Sequence, residues 1–206
     1  MSGRTALVLG GTGMLKGCAD ELLARGWHVV LPSRRPERAL GSAARAALRG
    51  RGHVPQGGGG PERHEGGGGS ERRVAVAADW ARPAELADRV REVVDRPADL
   101  LVAWVHASYR DAVLRAVEPL LAPGAPVVEV HDSGAIRPVH GLPGPALEGH
   151  PTQRVVLGFA RQAGRTRWLT HEEAAAGVLE AVHRALDGRP PSVHEVGEVD
   201  SRVMRQ

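Results

Sequence analysis

Near its N-terminus the chain runs from a short apolar stretch, Thr5–Leu9 (TALVL), directly into Gly10-Gly11-Thr12-Gly13 and then into a helical pattern. A brief apolar run without polar alternation predicts a strand buried on both faces. The stripe Leu15, Ala19, Leu22 and Leu23 predicts a helix, and Gly26 stops it as a C-terminal glycine. A buried strand, a tight glycine turn and a helix, in that order, leave few folds open. The strand must lie inside a parallel sheet with helices packed over it.

The alternation continues down the chain. Trp27–Leu31 (WHVVL) reads as a second strand that ends at Pro32-Ser33-Arg34-Arg35, and Pro36 opens a helical stretch over Glu37–Leu48. Val74–Ala78 is a third strand, closed by Asp79-Trp80. Pro83 then opens a helix with Leu86, Val90, Val93 and Val94 inward. Leu100–Val105 is a fourth strand, and a helix follows from Ser108 to about Leu121. Pro126–Val130 and Val155–Phe159 are the fifth and sixth, joined by a Pro/Gly-rich connection over 131–153. Thr170 and Glu173 form a T-x-x-E capping box that starts a helix with the stripe Ala175, Val178, Leu179, Val182 and Leu186. Gly188, Pro190 and Pro191 stop that helix, and Ser192–Val196 is a last strand at the sheet margin. These elements predict a Rossmann-type doubly wound parallel sheet, a three-layer α/β/α single domain with strand order 3-2-1-4-5-6. Its ligand crevice lies at the C-terminal ends of the strands. Residues 50–72 interrupt the pattern with two runs of four glycines, Gly57–Gly60 and Gly66–Gly69. Such a stretch buries too little to offset chain entropy and reads as a flexible insertion within the domain.

Composition narrows the function. With 206 residues and 42% apolar content the chain can bury the core of one α/β domain. Aromatic residues make up only 3%, and the net charge is +3, carried almost wholly by arginine. This offers little for stacking bases and argues against nucleic-acid binding. Cys18 is the sole cysteine, which excludes an intrachain disulfide and a cysteine-based zinc site. No signal-peptide pattern and no run of ~20 apolar residues appears, so a cytoplasmic protein without a membrane span is expected.

The glycine turn suits a phosphate. Missing side chains let backbone N–H groups approach a diphosphate, and the following helix adds partial positive charge. Gly10, Gly11, Thr12, Gly13, Met14 and Leu15 are the expected cradle, with the Thr12 hydroxyl as a further donor. An acidic residue at the end of the second strand would hold a ribose 2′-hydroxyl. Here Ser33, Arg34 and Arg35 stand instead, and guanidinium groups favour a 2′-phosphate. The expected cofactor is therefore NADP(H) in preference to NAD(H). Asp79 either accepts from an adenine amino group or is a turn residue.

The stretch Ala6–Arg38 (ALVLGGTGMLKGCADELLARGWHVVLPSRRPER) resembles the opening of the short-chain dehydrogenase/reductase superfamily, nearest the G-x-x-G-x-x-G form of its extended and atypical branches. Gly10 and Gly13 match the first two glycines. The third falls on Lys16, with Gly17 one place later, so Lys16 either crowds the helix against the strand or points at phosphate. Ala103–Ser108 (AWVHAS) sits where members place the loop beside the nicotinamide ribose, which puts His106 against the cofactor. Val130–Ser133 (VHDS) sits where they place the catalytic serine. Arg167–Val182 is similar to the late helix of small atypical bacterial members.

The superfamily's usual acid, a Tyr four residues before a Lys, has no counterpart. The only tyrosine is Tyr109, with Val113 four residues on, and the only lysine is Lys16. The remaining proton-donor candidates are His106, His131 and Ser133, with Tyr109 the weakest because an unassisted phenol keeps a pKa near ~10. Each also has a structural reading. Ser108 reads as a helix N-cap with Asp111, His106 as a strand-end hydrogen bonder, and Asp132-Ser133-Gly134 as a turn. Trp104 and Trp168 read as packing residues. Ten histidines lack paired-ligand spacing, so no metal is expected. The sequence supports an NADPH-dependent oxidoreductase acting on a small carbonyl or imine compound. The alternative is a non-catalytic NADP(H)-binding sensor or partner-binding protein. Loops 106–109, 131–153 and 159–169 are expected to build the pocket, with or without a second subunit in a homodimer.

Overall fold

In the computed structural model, residues 3–36, 72–133, 142–162 and 165–199 are described. Seven strands form one parallel sheet: β1 (Thr5–Leu9), β2 (His28–Ser33), β3 (Arg73–Ala77), β4 (Leu100–Trp104), β5 (Val127–Asp132), β6 (Thr152–Leu157) and β9 (Val193–Val196). Their order is β3-β2-β1-β4-β5-β6-β9. The expected doubly wound order is present, and Val193–Val196 extends it by one parallel strand beside β6. The chain reverses direction in the order between β1 and β4. There the connections leave on opposite faces and open a crevice at the strands' C-terminal ends.

Helices α1 (Lys16–Ala24) and α4 (His171–Leu186) cover one face, and α2 (Pro83–Arg91) and α3 (Ala107–Val117) the other. Each face has its own apolar core. Val8, Val29, Val102, Val128 and Val155 meet Leu22 and Val178 on the first, while Leu7, Val30, Leu101 and Val127 meet Leu86, Val90 and Leu114 on the second. Strands β1 and β4 contribute to both cores with nearly every residue, which is why their sequences are apolar throughout.

Several boundaries differ from the sequence reading, and each difference moves a candidate residue. β2 runs two residues past Leu31, so Pro32 and Ser33 belong to the strand. β5 extends to Asp132, placing His131 and Asp132 on the strand instead of in a loop. β6 starts at Thr152 and stops at Leu157. Phe159 instead opens an antiparallel hairpin, β7 (Phe159–Gln162) with β8 (Arg165–Trp168), where a loop was expected. The two strands, FARQ and RTRW, hold one aromatic each at the outer ends with mostly Arg, Gln and Thr between, too little apolar signal to read. α2 ends at Arg91, so Val93 and Val94 pack from beyond the helix. Pro119 ends α3 in a short 3₁₀ turn over Glu118–Leu120. The expected helix Glu37–Leu48, nearly all of the glycine-rich insertion and Gly134 lie outside the described residues.

Candidate functional site

The turn after β1 divides its glycines among separate tasks. Gly10 has φ of +90°, a left-handed conformation that favours glycine. Gly11 is buried, and a Cβ there would come within 2.5 Å of Leu31 and 3.0 Å of Val8, so this glycine lets the turn close onto the sheet. Gly13 has open space on its Cα, with Gly10 O the nearest atom at 4.0 Å. Gly17 lies in α1, where a Cβ would sit 3.0 Å from Ala175 Cβ of α4. The close-packing role of the third glycine therefore falls on Gly17 and brings helix to helix. Lys16 does neither thing expected of it. It is on the exposed side and pairs with Asp20 at 2.5 Å.

Hydrogen bonding also trims the expected cradle. Gly10 O accepts from Gly13 N at 3.2 Å and from Leu15 N at 3.3 Å. Leu15 is buried in the core, and Met14 packs against that core in part. Among the described residues, the Gly11, Thr12 and Met14 amides have no backbone acceptor. Thr12 Oγ1 lies 3.0 Å from Ser33 Oγ, which in turn accepts from Arg35 N at 3.1 Å. These contacts join the glycine turn to the end of β2.

A groove of about 460 Å³ follows this edge, from Gly10, Thr12 and Gly13 to Ser33, Arg34 and Arg35, with Trp80 and Trp104 as aromatic walls. Arg34 and Arg35 are exposed to it. Asp79 stands apart from the groove wall, and its Oδ1 accepts from Ala81 N at 3.1 Å, the behaviour of a turn residue. The open face of Gly13 and the amides without acceptors fit the diphosphate of a dinucleotide, and the two guanidinium groups add positive charge at the end of β2.

Trp104, at the end of β4, is also a wall of a second cavity of about 190 Å³, bordered by Arg110, Asp111, His131 and Asp132. His131 is buried. Its Nδ1 is 3.4 Å from Arg110 Nη1, and its Nε2 is 3.6 Å from Glu129 Oε2. Glu129 is wholly buried, its Oε1 accepting from Ala146 N at 2.7 Å, and Arg110 Nη1 lies 3.6 Å from its Oε2. Sequence reading missed Glu129 and Arg110. The only available signal was a charged residue two places from His131 in an otherwise apolar strand, which places both on one face.

The other candidates stand elsewhere. His106 is exposed and is itself the N-cap of α3. Its Nδ1 lies 2.8 Å from Ser108 Oγ and accepts from Ser108 N at 3.4 Å, so Ser108 is not the cap. Tyr109 is exposed on α3, its ring centroid 6.4 Å from that of His106. Ser133 follows β5 and is half-buried, outside the wall of the second cavity. Trp168 does not pack inside: it is 66% exposed on β8, against Phe159 at 4.4 Å. Cys18 is buried in α1, and burial together with nearby Glu21 pushes its thiol up to about 12, so it is inert in the folded protein. Among the described residues no His, Cys, Asp and Glu side chains group to hold a metal ion, and no helix is long and apolar enough to cross a membrane.

No protein-family profile matches the chain, and no curated protein matches it. Solved structures do. A carbonyl reductase from Pseudomonas aeruginosa PAO1 in complex with NADP is similar over 94% of this chain and 96% of its own, with 22% identity and a TM-score of 0.57. The RhlG/NADP active-site complex of the same species covers 96% of both chains at 19% identity and a TM-score of 0.59. A short chain dehydrogenase/reductase from Burkholderia phymatum in complex with NAD covers 93% of this chain and 89% of its own at 13% identity and a TM-score of 0.57. The chain has the Rossmann fold of these proteins.

Proposed function

We propose that the protein is an NADPH-dependent oxidoreductase that reduces a small carbonyl or imine compound. The observation that carries this reading is the shared wall at Trp104. The groove that fits the dinucleotide and the polar cavity beside it meet at the C-terminal end of β4. A bound nicotinamide would supply hydride chemistry at that junction. The chain's own contribution is positional: the amides of Gly11, Thr12 and Met14 hold a diphosphate, Arg34 and Arg35 meet a 2′-phosphate, and the second cavity orients the substrate. Neighbours of the same fold bind NADP in two of the three complexes named above and NAD in the third, which supports a nicotinamide cofactor of either kind. The preference for NADPH rests on the two arginines.

One observation favours a non-catalytic NADP(H)-binding role. Tyr109 is exposed on α3 and Lys16 is tied to Asp20 on α1, so no tyrosine and lysine act together.

Calorimetric titration with NADPH and NADH tests the cofactor assignment. Arg34→Ala combined with Arg35→Ala should weaken NADPH by at least ~10-fold, the loss of a charge-assisted phosphate contact, and change NADH by less than about twofold. Equal losses for both would remove the 2′-phosphate assignment. Tight NADPH binding without turnover of a panel of small carbonyl and imine compounds would decide for the non-catalytic role.

A further inference from the structure

Trp104 stands at the end of the groove away from Arg34 and Arg35, and the strand order β2-β1-β4 puts it there. Ser33 ends β2 with the two arginines behind it, the glycine turn follows β1, and Trp104 ends β4. Neighbouring strands lie about 5 Å apart, so these three stations span roughly 10 Å of the sheet edge. A dinucleotide with its diphosphate at the middle station and its 2′-phosphate over β2 directs its nicotinamide toward β4. We infer that Trp104 sets the preference for the cofactor's oxidation state, its indole favouring the oxidised nicotinamide, a cation, over the neutral reduced ring. This rests on the cofactor reading above and needs no turnover.

Trp104 is placed to act on a ligand. It is half-buried, packs in part on the first core, and brings Cε3 within 3.3 Å of the position a Cβ on Gly10 would take. The ring is thus wedged against the turn, and the residue borders both the groove and the second cavity. Its indole N–H has no acceptor among the described residues and is not enclosed, whereas that of Trp27, 1% exposed, is sealed inside the protein.

Net charge does not make the distinction between the two rings. Arg110 donates to Asp111 and faces Glu129, Glu129 is in register with Arg154, and His131 and Asp132 complete the second cavity. Both signs are present, and the N-terminus of α3 adds roughly half a positive charge. An aromatic face does discriminate, because its quadrupole attracts a cation, and indole does so best. Trp80, the other aromatic wall, follows β3 on the far side of β2. There the adenine is the same neutral ring in both forms, so Trp80 cannot tell them apart. An oxidoreductase built this way retains its oxidised cofactor after turnover, and a sensor built this way reports the oxidised form.

The test is calorimetric titration of the full-length protein with NADP+, NADPH and adenosine 2′,5′-bisphosphate, which lacks the nicotinamide. A cation over an indole is worth ~2–30-fold in affinity, so the wild type should bind NADP+ at least ~5-fold tighter than NADPH. Trp104→Leu should bring that ratio to within about twofold of one and leave the bisphosphate affinity unchanged, which also shows the fold intact. Trp104→Phe keeps a weaker aromatic face and should fall between. Trp80→Leu should weaken both forms alike and preserve the ratio. A wild-type ratio at or below one, or a ratio unmoved by both Trp104 variants, overturns the inference and leaves the cofactor reading standing. NADP+ bound more tightly by Trp104→Leu than by the wild type would mean that the indole obstructs the nicotinamide, and overturns it as well. No binding of any of the three nucleotides by the wild type overturns the cofactor reading and the inference with it.

Discussion

A methyl group on Gly10 would meet the Trp104 carbonyl oxygen at 3.0 Å and the Trp104 ring at 3.3 Å, on a backbone whose φ is +90°. Conformational strain and the steric conflict therefore act together at the residue that joins the glycine turn to the shared wall. Gly10→Ala should cost roughly 1–3 kcal/mol of stability, read by denaturant unfolding. Gly13 is the control. Its Cβ would meet nothing nearer than 4.0 Å, so Gly13→Ala should change stability by less than about 1 kcal/mol while placing a methyl in the space a diphosphate needs. It should weaken NADPH at least ~10-fold in the same preparation. Equal stability losses for the two variants would mean that the division of labour within the turn is wrong. Chain spacing alone could not assign these roles. All three turn glycines look alike in sequence, and only the packing of Leu31, Val8 and Trp104 tells them apart.

Among the elements, α4 was the most readable and the hairpin before it the least. The capping box is formed on both sides: Thr170 Oγ1 accepts from Glu173 N at 3.2 Å, and Glu173 accepts from Thr170 N at 2.8 Å. Such a box is local, contained in the four residues from Thr170 to Glu173. What sequence could not supply is Arg167, which reaches from β8 to donate twice to Glu173 at 2.8 Å. The Arg167 bond, then the Thr170 backbone bond, hold the Glu173 carboxyl at about 2, below its usual 4.5. A carboxyl lowered on folding stabilises the native state above its unfolded pKa, and that contribution is lost as pH falls through the folded one. Thermal unfolding should accordingly show a constant gap between wild type and Glu173→Gln above about pH 4.5, closing between 4.5 and 2. Thr170→Ala should cost about 1 kcal/mol. A gap that persists at pH 2 would exclude this linkage. The same contrast explains the misplaced end of β5. Val127–Val130 announces itself by apolar character, whereas His131 and Asp132 continue the strand only because β6 pairs with them. That tertiary pairing turned two presumed loop residues into cavity wall.

Across the whole molecule, one sheet separates two cores, and the proposed site spans the C-terminal ends of β1, β2, β4 and β5, where elements from both meet. A ligand held there bridges α1 and β2 on one side to α3 on the other, and unfolding either half destroys its site. Binding must then stabilise the cooperative unit. A ligand exclusive to the folded state adds about 2.7 kcal/mol at a hundred times its Kd. For a chain of this length each kcal/mol raises Tm by roughly 2–4 °C. NADPH at that saturation should raise Tm by about 5–10 °C in a single transition. Nicotinamide mononucleotide, which lacks the diphosphate bridge and the 2′-phosphate, should raise it by less than about 1 °C at equal concentration. The contrast follows from where the proposed donors lie: the glycine-turn amides without acceptors and the guanidinium groups of Arg34 and Arg35 would all serve the diphosphate and adenosine half. An equal shift from the mononucleotide would place the recognition at the Trp104 end instead. No shift from either would mean that the glycine turn closes the fold and binds no nucleotide.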